Sequence, residues 1–246
     1  MTSRWWRRPR PRPEADLRLV CFGHAGGGAT FYRWLAELDG DVEGGVEVVL
    51  AQYPGRENRV LENMPATMAA LVDEVVPLLP PGPLALFGHS MGALVAYEVA
   101  RRLAQPADLR ALIVSGRPAP GWQVSHTLHQ RSDAELVELV RDLGGTDAAV
   151  LDHPELRARM VAVMRADLRL VEGAAPVVDG ALTAPVHAMA GLADRAAPPE
   201  QMIGWAGVTR GAFALTTFPG GHFYLVDQAA QVRAGILAAL RTEAAA

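Results

Sequence analysis

The stretch Gly88-His89-Ser90-Met91-Gly92 follows directly after the apolar run Pro83-Leu84-Ala85-Leu86-Phe87 and precedes a segment of helical composition, residues 93–103. A Gly-x-Ser-x-Gly turn between a strand and a helix is typical of a nucleophile elbow, in which a strained turn exposes the serine oxygen. Glycine is needed at both ends because a Cβ there would collide with the neighbouring strand and helix. The pattern predicts an α/β fold with Ser90 as nucleophile; a plain glycine-rich turn is the alternative.

A serine nucleophile needs a general base, and in folds with this elbow the base is a histidine that follows the acid in the chain. Five histidines come after the serine: His126, His129, His153, His187 and His222. Only the last follows a flexible turn, Phe218-Pro219-Gly220-Gly221, behind a β-like segment at 212–217, and it opens the C-terminal helix. We therefore predict His222 as the base, with a structural histidine that caps this helix as the alternative.

The acid that orients the base is expected in a loop after the preceding strand. The segment Met189–Asp194 ends such a strand, and a helix is predicted to begin near Pro198. A buried carboxylate at Asp194 would fix the imidazole tautomer and stabilise the imidazolium. The alternative is a turn or helix-capping aspartate. Asp179, which precedes the strand, and Asp227, on the helix after the histidine, are the competing candidates.

The oxyanion hole requires two backbone N–H groups, one from the residue after the nucleophile and one from a loop after an early strand. Met91 supplies the first. The second is predicted in the loop Gly23-His24-Ala25-Gly26-Gly27-Gly28, which follows the strand Leu17–Phe22. Ala25 is favoured, with Gly26 as the alternative. A dinucleotide-binding loop is not indicated, because the pattern is not Gly-x-Gly-x-x-Gly.

The composition of the chain excludes several classes of function. The chain has 246 residues, of which 50% are hydrophobic, enough for one α/β domain with a substantial core. A net charge of −4 argues against nucleic acid as a partner, and no apolar run reaches the ~18 residues that span a membrane. Cys21 is the only cysteine and there is no lysine, so an intrachain disulfide and lysine-based mechanisms are excluded. The absence of metal-binding motifs predicts no metal, and no cofactor is expected.

The N-terminal residues alternate proline with arginine, which disfavours a helix and a buried core. Residues 1–16 are therefore predicted as a loosely ordered extension, ahead of a single domain at 17–246. The alternatives are that Trp5 and Trp6 pack on the domain or that the arginines attract an acidic partner. The twin arginines lack the apolar segment of an export signal, which predicts a cytoplasmic protein.

Between Gly121 and Gly180 the strand–helix alternation stops. One helix is predicted from Ser132 to the stop at Gly144-Gly145, and a second from Pro154 to Val171. An all-helical insertion between the nucleophile and the acid is predicted to be a lid over the substrate pocket. Its pocket wall is predicted to include three residues of the second helix; packing of the lid on the core is the alternative. The three residues are Met160, Met164 and Leu168.

Several segments together resemble the type II thioesterases of polyketide and nonribosomal peptide assembly lines. They are the 23–28 loop, Gln52-Tyr53-Pro54-Gly55-Arg56, the elbow, Ser115-Gly116-Arg117 and Gly220-Gly221-His222-Phe223-Tyr224-Leu225. The resemblance extends from about Leu17 to about Leu240. It implies an α/β-hydrolase fold with a mostly parallel sheet, and removal of stalled acyl groups from the phosphopantetheine arm of acyl or peptidyl carrier proteins.

The same residues leave other functions open. A general carboxylesterase would share the triad, and a chain-releasing thioesterase would share it too. A noncatalytic binding module on the same fold is a third alternative. Arg117, after a strand on the side of the elbow, is a candidate contact for the pantetheine phosphate or an acidic carrier protein, and pairing with a nearby carboxylate is the alternative.

Overall fold

The computed structural model describes residues 4–38, 44–103, 108–122, 127–146, 148–175 and 182–241. Within these ranges one seven-stranded sheet has the spatial order β1-β3-β2-β4-β5-β6-β7. All neighbouring strands are parallel except β1, which runs antiparallel to β3. The mostly parallel sheet expected from the sequence is confirmed. The strands are β1 Trp6–Arg7, β2 Leu17–Phe22, β3 Val46–Ala51, β4 Leu84–His89, β5 Leu109–Ser115, β6 Val186–Gly191 and β7 Phe213–Phe218.

Helices cover both faces of the sheet. Helices α1 and α2 pack on one face, where Val20 and Phe22 of β2 point. Helix α8 packs on the other face, within the apolar cluster that also contains Leu19 and Cys21 of β2. None of the helices in the described ranges has the length and hydrophobicity needed to cross a bilayer. The helices are α1 Met68–Val75, α2 Met91–Arg102, α3 Asp133–Leu143, α4 Ala148–Asp152, α5 Pro154–Glu172, α6 Pro199–Met202, α7 Tyr224–Asp227 and α8 Ala229–Arg241.

The parallel sheet places the functional loops together. The carboxyl ends of parallel strands lie at one edge of a sheet, and ligands of open α/β sheets bind at that edge. The loop with Ala25 follows β2, Ser90 follows β4, Asp194 follows β6 and His222 follows β7. The topology therefore brings residues that are up to 197 positions apart in the sequence to one side of the molecule.

The turn at Ser90 has the strain expected of an elbow. Its φ is 55°, and Glu57 is the one other described non-glycine residue with a positive φ. A Cβ at Gly88 would collide with the carbonyl oxygen of Gly92, and a Cβ at Gly92 with the carbonyl oxygen of Phe22. Both glycines are thus required for close packing of α2 on β4 and β2.

The N-terminal segment differs from the prediction of a loosely ordered extension over residues 1–16. From Arg4 onward it packs on the domain, and residues 1–3 lie outside the described residues. Trp6 pairs with Ala51 of β3, and Trp5 is 2% exposed. Arg8 contacts the fully buried carboxylate of Glu47 at 3.0 Å. The prediction failed because two tryptophans and an ion pair, rather than local composition, decide the conformation.

In its described residues, the segment between β5 and β6 contains three α-helices, α3, α4 and α5. Ser132 caps α3 in a reciprocal arrangement: its backbone N–H donates to Glu135 Oε2 at 2.9 Å, and its Oγ accepts from the Glu135 N–H. Helix α3 ends before Gly144 and α5 spans Pro154–Glu172, close to the predicted bounds, whereas α4 was not predicted. The three helices share a small apolar core: Leu136, Val137, Val140, Leu151, Val161, Met164 and Leu168. Residues 123–126, 147 and 176–180 of the predicted lid lie outside the described residues.

Replacement of Trp5 by Ala should lower the free energy of unfolding by about 3–5 kcal/mol, because a large buried side chain is lost from the core. The matched control is Trp122→Ala, since Trp122 is 50% exposed and should change stability by about 0.5 kcal/mol or less. Urea unfolding measured by circular dichroism tests both. Equal losses in the two variants would show that the N-terminal strand is not part of the core.

Candidate active site

Asp194 and His222 form a buried pair. His222 Nδ1 lies 2.8 Å from Asp194 Oδ2, and both residues are less than 10% exposed. Asp194 Oδ1 accepts hydrogen bonds from the backbone N–H groups of Ala196, at 2.9 Å, and Ala197, at 3.2 Å. The carboxylate thus closes its own turn and also holds the histidine. With Nδ1–H directed at the carboxylate, Nε2 is the nitrogen left to act as a base.

Ser90 and His222 line one cavity of about 230 Å³. Ala25, from the loop after β2, contributes to the same wall. The structure therefore brings the predicted nucleophile, base and oxyanion loop to one cavity, with the acid directly behind the base. Of the competing acids, Asp227 is exposed at the end of α7. Asp179 lies outside the described residues.

Two backbone amides can serve an oxyanion at this cavity. Met91 is the first residue of α2, where N–H groups lack a partner within the helix and the helix dipole is positive. In the glycine-rich loop, the Gly26 N–H donates to Asp167 Oδ2 at 2.7 Å. Because the Gly26 amide is occupied in this way, the geometry favours Ala25, the first choice from the sequence, over Gly26.

His24 forms a rigid wall of the cavity. Its ring packs edge-on against Phe31 and Phe223, each at 4.7 Å between centroids, and its Nδ1 lies 2.7 Å from Tyr32 Oη. Burial, together with the charges of His222 and Arg56, lowers the pKa of His24 to about 3. The ring is therefore neutral at physiological pH. The sequence offered a histidine in a glycine-rich loop, but no pattern that assigned it this role.

His89 connects the elbow to the neighbouring loops. Its Nδ1 lies 2.9 Å from Ser115 Oγ at the end of β5, and that oxygen lies 2.6 Å from Tyr224 Oη. The His89 ring is fully buried, 4.9 Å from the ring of His222. Burial, with smaller electrostatic contributions from the neighbouring rings of His222 and His24, holds the pKa of His89 well below the ordinary histidine value. This neutral network fixes the elbow against β5 and α7. Ser115 and Tyr224 belong to segments that carried the resemblance, but no role was predicted for them.

Helices α3 and α5 form the apolar side of the cavity. Met164 and Leu168 of α5 and Leu139 of α3 line it, as was predicted for the first two. Met160 does not line it and packs at the edge of the small helical core. That prediction is corrected: the residues of α5 that line the cavity begin at Met164, and Met160 lies one turn, about 6 Å, before the first of them.

The turn after α3 covers Phe223, the residue that follows the predicted base His222. A Cβ at Gly145 would lie 2.6 Å from the Phe223 ring, so only a glycine allows this close approach. Phe223 itself contributes to the cavity wall. The helical segment thus contacts the β7–α7 loop as well as the loop after β2.

Arg117 is a cation on the cavity wall. Its backbone carbonyl accepts a hydrogen bond from Trp205 Nε1 at 2.8 Å. Burial lowers the pKa of Arg117 to about 10, which leaves the guanidinium charged at neutral pH. Within the described ranges its guanidinium forms no ion pair with a carboxylate, so the alternative of a structural pair finds no partner there.

Comparison with known proteins places the chain in a family. Residues 17–240 match the model of the thioesterase domain. Thioesterase PikA5 of Streptomyces venezuelae is 40% identical over 231 residues, covering 91% of this chain and 81% of that protein. The type II thioesterase BorB from the borrelidin biosynthetic cluster is 37% identical, with a TM-score of 0.84 and coverage of 96% of this chain and 98% of that one. The thioesterase RedJ from the prodiginine pathway of Streptomyces coelicolor is 37% identical, with a TM-score of 0.83 and coverage of 94% and 92%.

The family match spans nearly the whole chain, and the two compared structures align with more than nine-tenths of it. The chain therefore belongs to the thioesterase family, resembles the type II thioesterases of polyketide and nonribosomal peptide pathways, and is a serine hydrolase that acts on thioesters.

Proposed function

We propose that this protein hydrolyses acyl thioesters on the phosphopantetheine arm of acyl or peptidyl carrier proteins and thereby removes stalled or aberrant acyl groups. The observation that carries the proposal is the cavity that joins Ser90 and His222 to an apolar wall from α3 and α5. The relatives BorB and RedJ, which belong to the borrelidin and prodiginine pathways, support it. A cytoplasmic location, where carrier-bound intermediates are made, is part of the same proposal.

The proposed reaction is acyl transfer in two steps. Ser90 Oγ attacks the thioester carbonyl while His222 Nε2 accepts its proton, and Asp194 stabilises the imidazolium. The amides of Ala25 and Met91 stabilise the oxyanion. The intermediate then collapses: the carbon–sulfur bond breaks, and His222 returns the proton to the leaving thiolate. A water, deprotonated by the same nitrogen, then attacks the acyl-serine. The ester carbon–oxygen bond breaks, His222 returns the proton to Ser90 Oγ, and the carboxylic acid is released.

The walls of the cavity suit an acyl chain more than a polar substrate. Met164 and Leu168 present flexible and aliphatic surfaces, and methionine adapts to ligands of different shape. His24 is neutral and contributes ring surface rather than charge. Arg117 is the cation on the same wall, and an anionic part of the substrate, such as the pantetheine phosphate, is its proposed partner.

The proposed substrate class is tested with one set of acyl groups presented in two forms. Acetyl, propionyl and hexanoyl groups are loaded on a carrier protein as phosphopantetheine thioesters and, separately, supplied as simple oxoesters. We expect kcat/KM for the carrier thioesters to exceed that for the oxoesters by at least 10²-fold, since the carrier and arm supply additional binding energy. Higher activity on the free oxoesters would indicate a general carboxylesterase. Ser90→Ala is the control and should lose both activity and labelling by a serine-directed phosphonate.

Replacement of Asp194 by Asn should leave the fold intact and reduce kcat by roughly 10⁴-fold, because the amide would favour the wrong imidazole tautomer. The same turn can form, since Asn Oδ1 still accepts from the Ala196 and Ala197 amides. Steady-state kinetics and circular dichroism provide the measurement. A variant with near-normal kcat would exclude Asp194 as the orienting acid, and the matched control Asp227→Asn should retain activity because Asp227 is exposed.

The two methionines of α5 provide a matched pair for the acyl site. Met164→Trp should reduce hydrolysis of hexanoyl thioesters far more than that of acetyl thioesters, because the indole fills the cavity that Met164 lines. Met160→Trp, four residues away and outside the cavity, should change both rates by a similar small factor. Labelling of Ser90 by a small phosphonate should be unaffected in both. Equal loss for all chain lengths in Met164→Trp would assign this residue to the fold rather than to the acyl site.

A further inference from the structure

A buried ion pair joins the helix α5 to the glycine-rich loop. Asp167 of α5 is fully buried, and Arg56 is 7% exposed. Arg56 Nη1 donates to Asp167 Oδ2 at 2.8 Å, and Nη2 donates to Oδ1 at 2.7 Å. The Gly26 amide donates to the same Oδ2 at 2.7 Å. Arg56 and Asp167, which are 111 positions apart in the sequence, are thus paired, and the Asp167 carboxylate also binds the backbone of the loop.

Arg56 is itself fixed on the body of the protein. Its Nη1 also donates to the carbonyl of Gly27 at 3.1 Å, and its Nε donates to the carbonyl of Pro54 at 3.1 Å. The side chain of Gln52 donates to the Arg56 carbonyl at 3.3 Å. The guanidinium therefore contacts both the loop and the carboxylate that holds the loop. Since an unpaired buried charge is costly, neither member of the pair can be lost without strain on the other.

The glycine-rich loop contains a tight turn over residues 24–27. The Gly27 N–H donates to the His24 carbonyl at 3.1 Å, and Gly26 has a φ of +81°. These are the features of a type II turn over residues 24–27, which needs glycine at its third position. Ala25, the favoured oxyanion donor, is the second residue of this turn.

Two peptide planes of the turn are held by these bonds. The His24 carbonyl and the Ala25 N–H share a trans peptide plane and point in opposite directions. Because the carbonyl is bound by Gly27, the direction of the Ala25 N–H is set relative to the rest of the turn, and the bonds to Asp167 and Arg56 set where the turn lies on the protein. The next peptide plane contains the Gly26 N–H. The orientation of this plane distinguishes a type II turn from a type I turn. Asp167 fixes it by accepting a hydrogen bond from the Gly26 N–H.

We propose that Asp167 is a positioning residue of the oxyanion hole: held by Arg56, its carboxylate anchors the 24–27 turn through the Gly26 N–H and thereby fixes the place from which the Ala25 N–H reaches the reacting carbonyl oxygen. The inference rests on the proposed function, since it assigns a role in stabilising the acyl-transfer oxyanion. It also makes α5 a part of the hole, because the donor is aligned only while Asp167 remains docked on the loop.

The test compares two inhibitors that differ in one property. A trifluoromethyl ketone analogue of the acyl thioester adds to the serine and forms an oxyanion, whereas the matching methyl ketone binds largely without one. The ratio of their inhibition constants therefore reports on the hole. In Asp167→Ala we expect this ratio to fall by at least 10-fold and kcat to fall by a factor between 10 and 10², with KM within about threefold; loss of one oxyanion donor typically costs 10²–10³ in kcat.

A second variant separates alignment from stability. Asp167→Ala alone leaves Arg56 buried without its carboxylate and should lower the melting temperature. The double variant Asp167→Ala with Arg56→Met removes that unpaired charge, so the melting temperature should recover in part while the inhibitor ratio stays low. If the ratio recovers together with the melting temperature, the pair is purely structural and the proposal is overturned.

Arg165→Gln is the matched control on the same helix. Arg165 donates to the carbonyls of His129 and Arg131 and to Asp133, so its loss weakens packing among the lid helices without touching the loop. Its inhibitor ratio should equal that of the wild type. A fall as large as that in Asp167→Ala would show that general loosening of the lid, and not the Gly26 contact, is responsible.

The outcome also distinguishes this inference from the proposed function. If the wild type is not labelled at Ser90 by the phosphonate and does not hydrolyse carrier-bound thioesters, the proposed function is wrong and the inference falls with it. If the wild type does both and the inhibitor ratio is unchanged in both Asp167 variants, the function stands and the role assigned to Asp167 is wrong.

Discussion

The close contact between the backbones of Gly92 and Phe22 is the constraint on which the catalytic arrangement depends. Because α2 begins against the end of β2, the chain must reverse within one strained residue, Ser90, whose φ is 55°. The same contact places the Met91 amide at the helix N-terminus beside the loop that follows β2. Ser90 and the Met91 amide, one of the two proposed oxyanion donors, therefore take their positions from one steric requirement, and the side chains that follow β6 and β7 complete the site around them.

The parts of this arrangement that the sequence could predict are those with a local or a topological cause. The elbow has a short steric signature, and the start of α3 has a reciprocal Ser132–Glu135 cap. The pairing of Asp194 with His222 follows from topology, because both come after parallel strands whose carboxyl ends share an edge. The sequence favoured Ala25 over Gly26 without any sign of the Asp167 carboxylate that occupies the Gly26 amide.

The parts that escaped prediction depend on partners far away in the chain. Alternating proline and arginine indicated disorder, yet Trp6 pairs with β3, and Arg8 pairs with the buried carboxylate of Glu47, which Arg18 of β2 also contacts at 3.7 Å. Met160 and Met164 are chemically identical and lie one turn apart on the same face of α5. Only the way α5 packs on the domain decides which of them lines the cavity. The ion pair of Arg56 and Asp167 likewise follows from how the insertion packs on the domain, since two charged residues 111 positions apart carry no pairing signal in a single sequence.

The contact of Gly145 with the Phe223 ring has a thermodynamic consequence for access to the cavity. Lifting this turn would expose the aromatic face and part of the small helical core to water, and exposure of apolar surface raises the heat capacity. Near room temperature the force that opposes such an opening is largely entropic, so it weakens on cooling. The fraction of molecules in which this turn is lifted from Phe223 would then rise at low temperature. Substrate entry would therefore have a temperature dependence distinct from that of the proposed chemical step at Ser90.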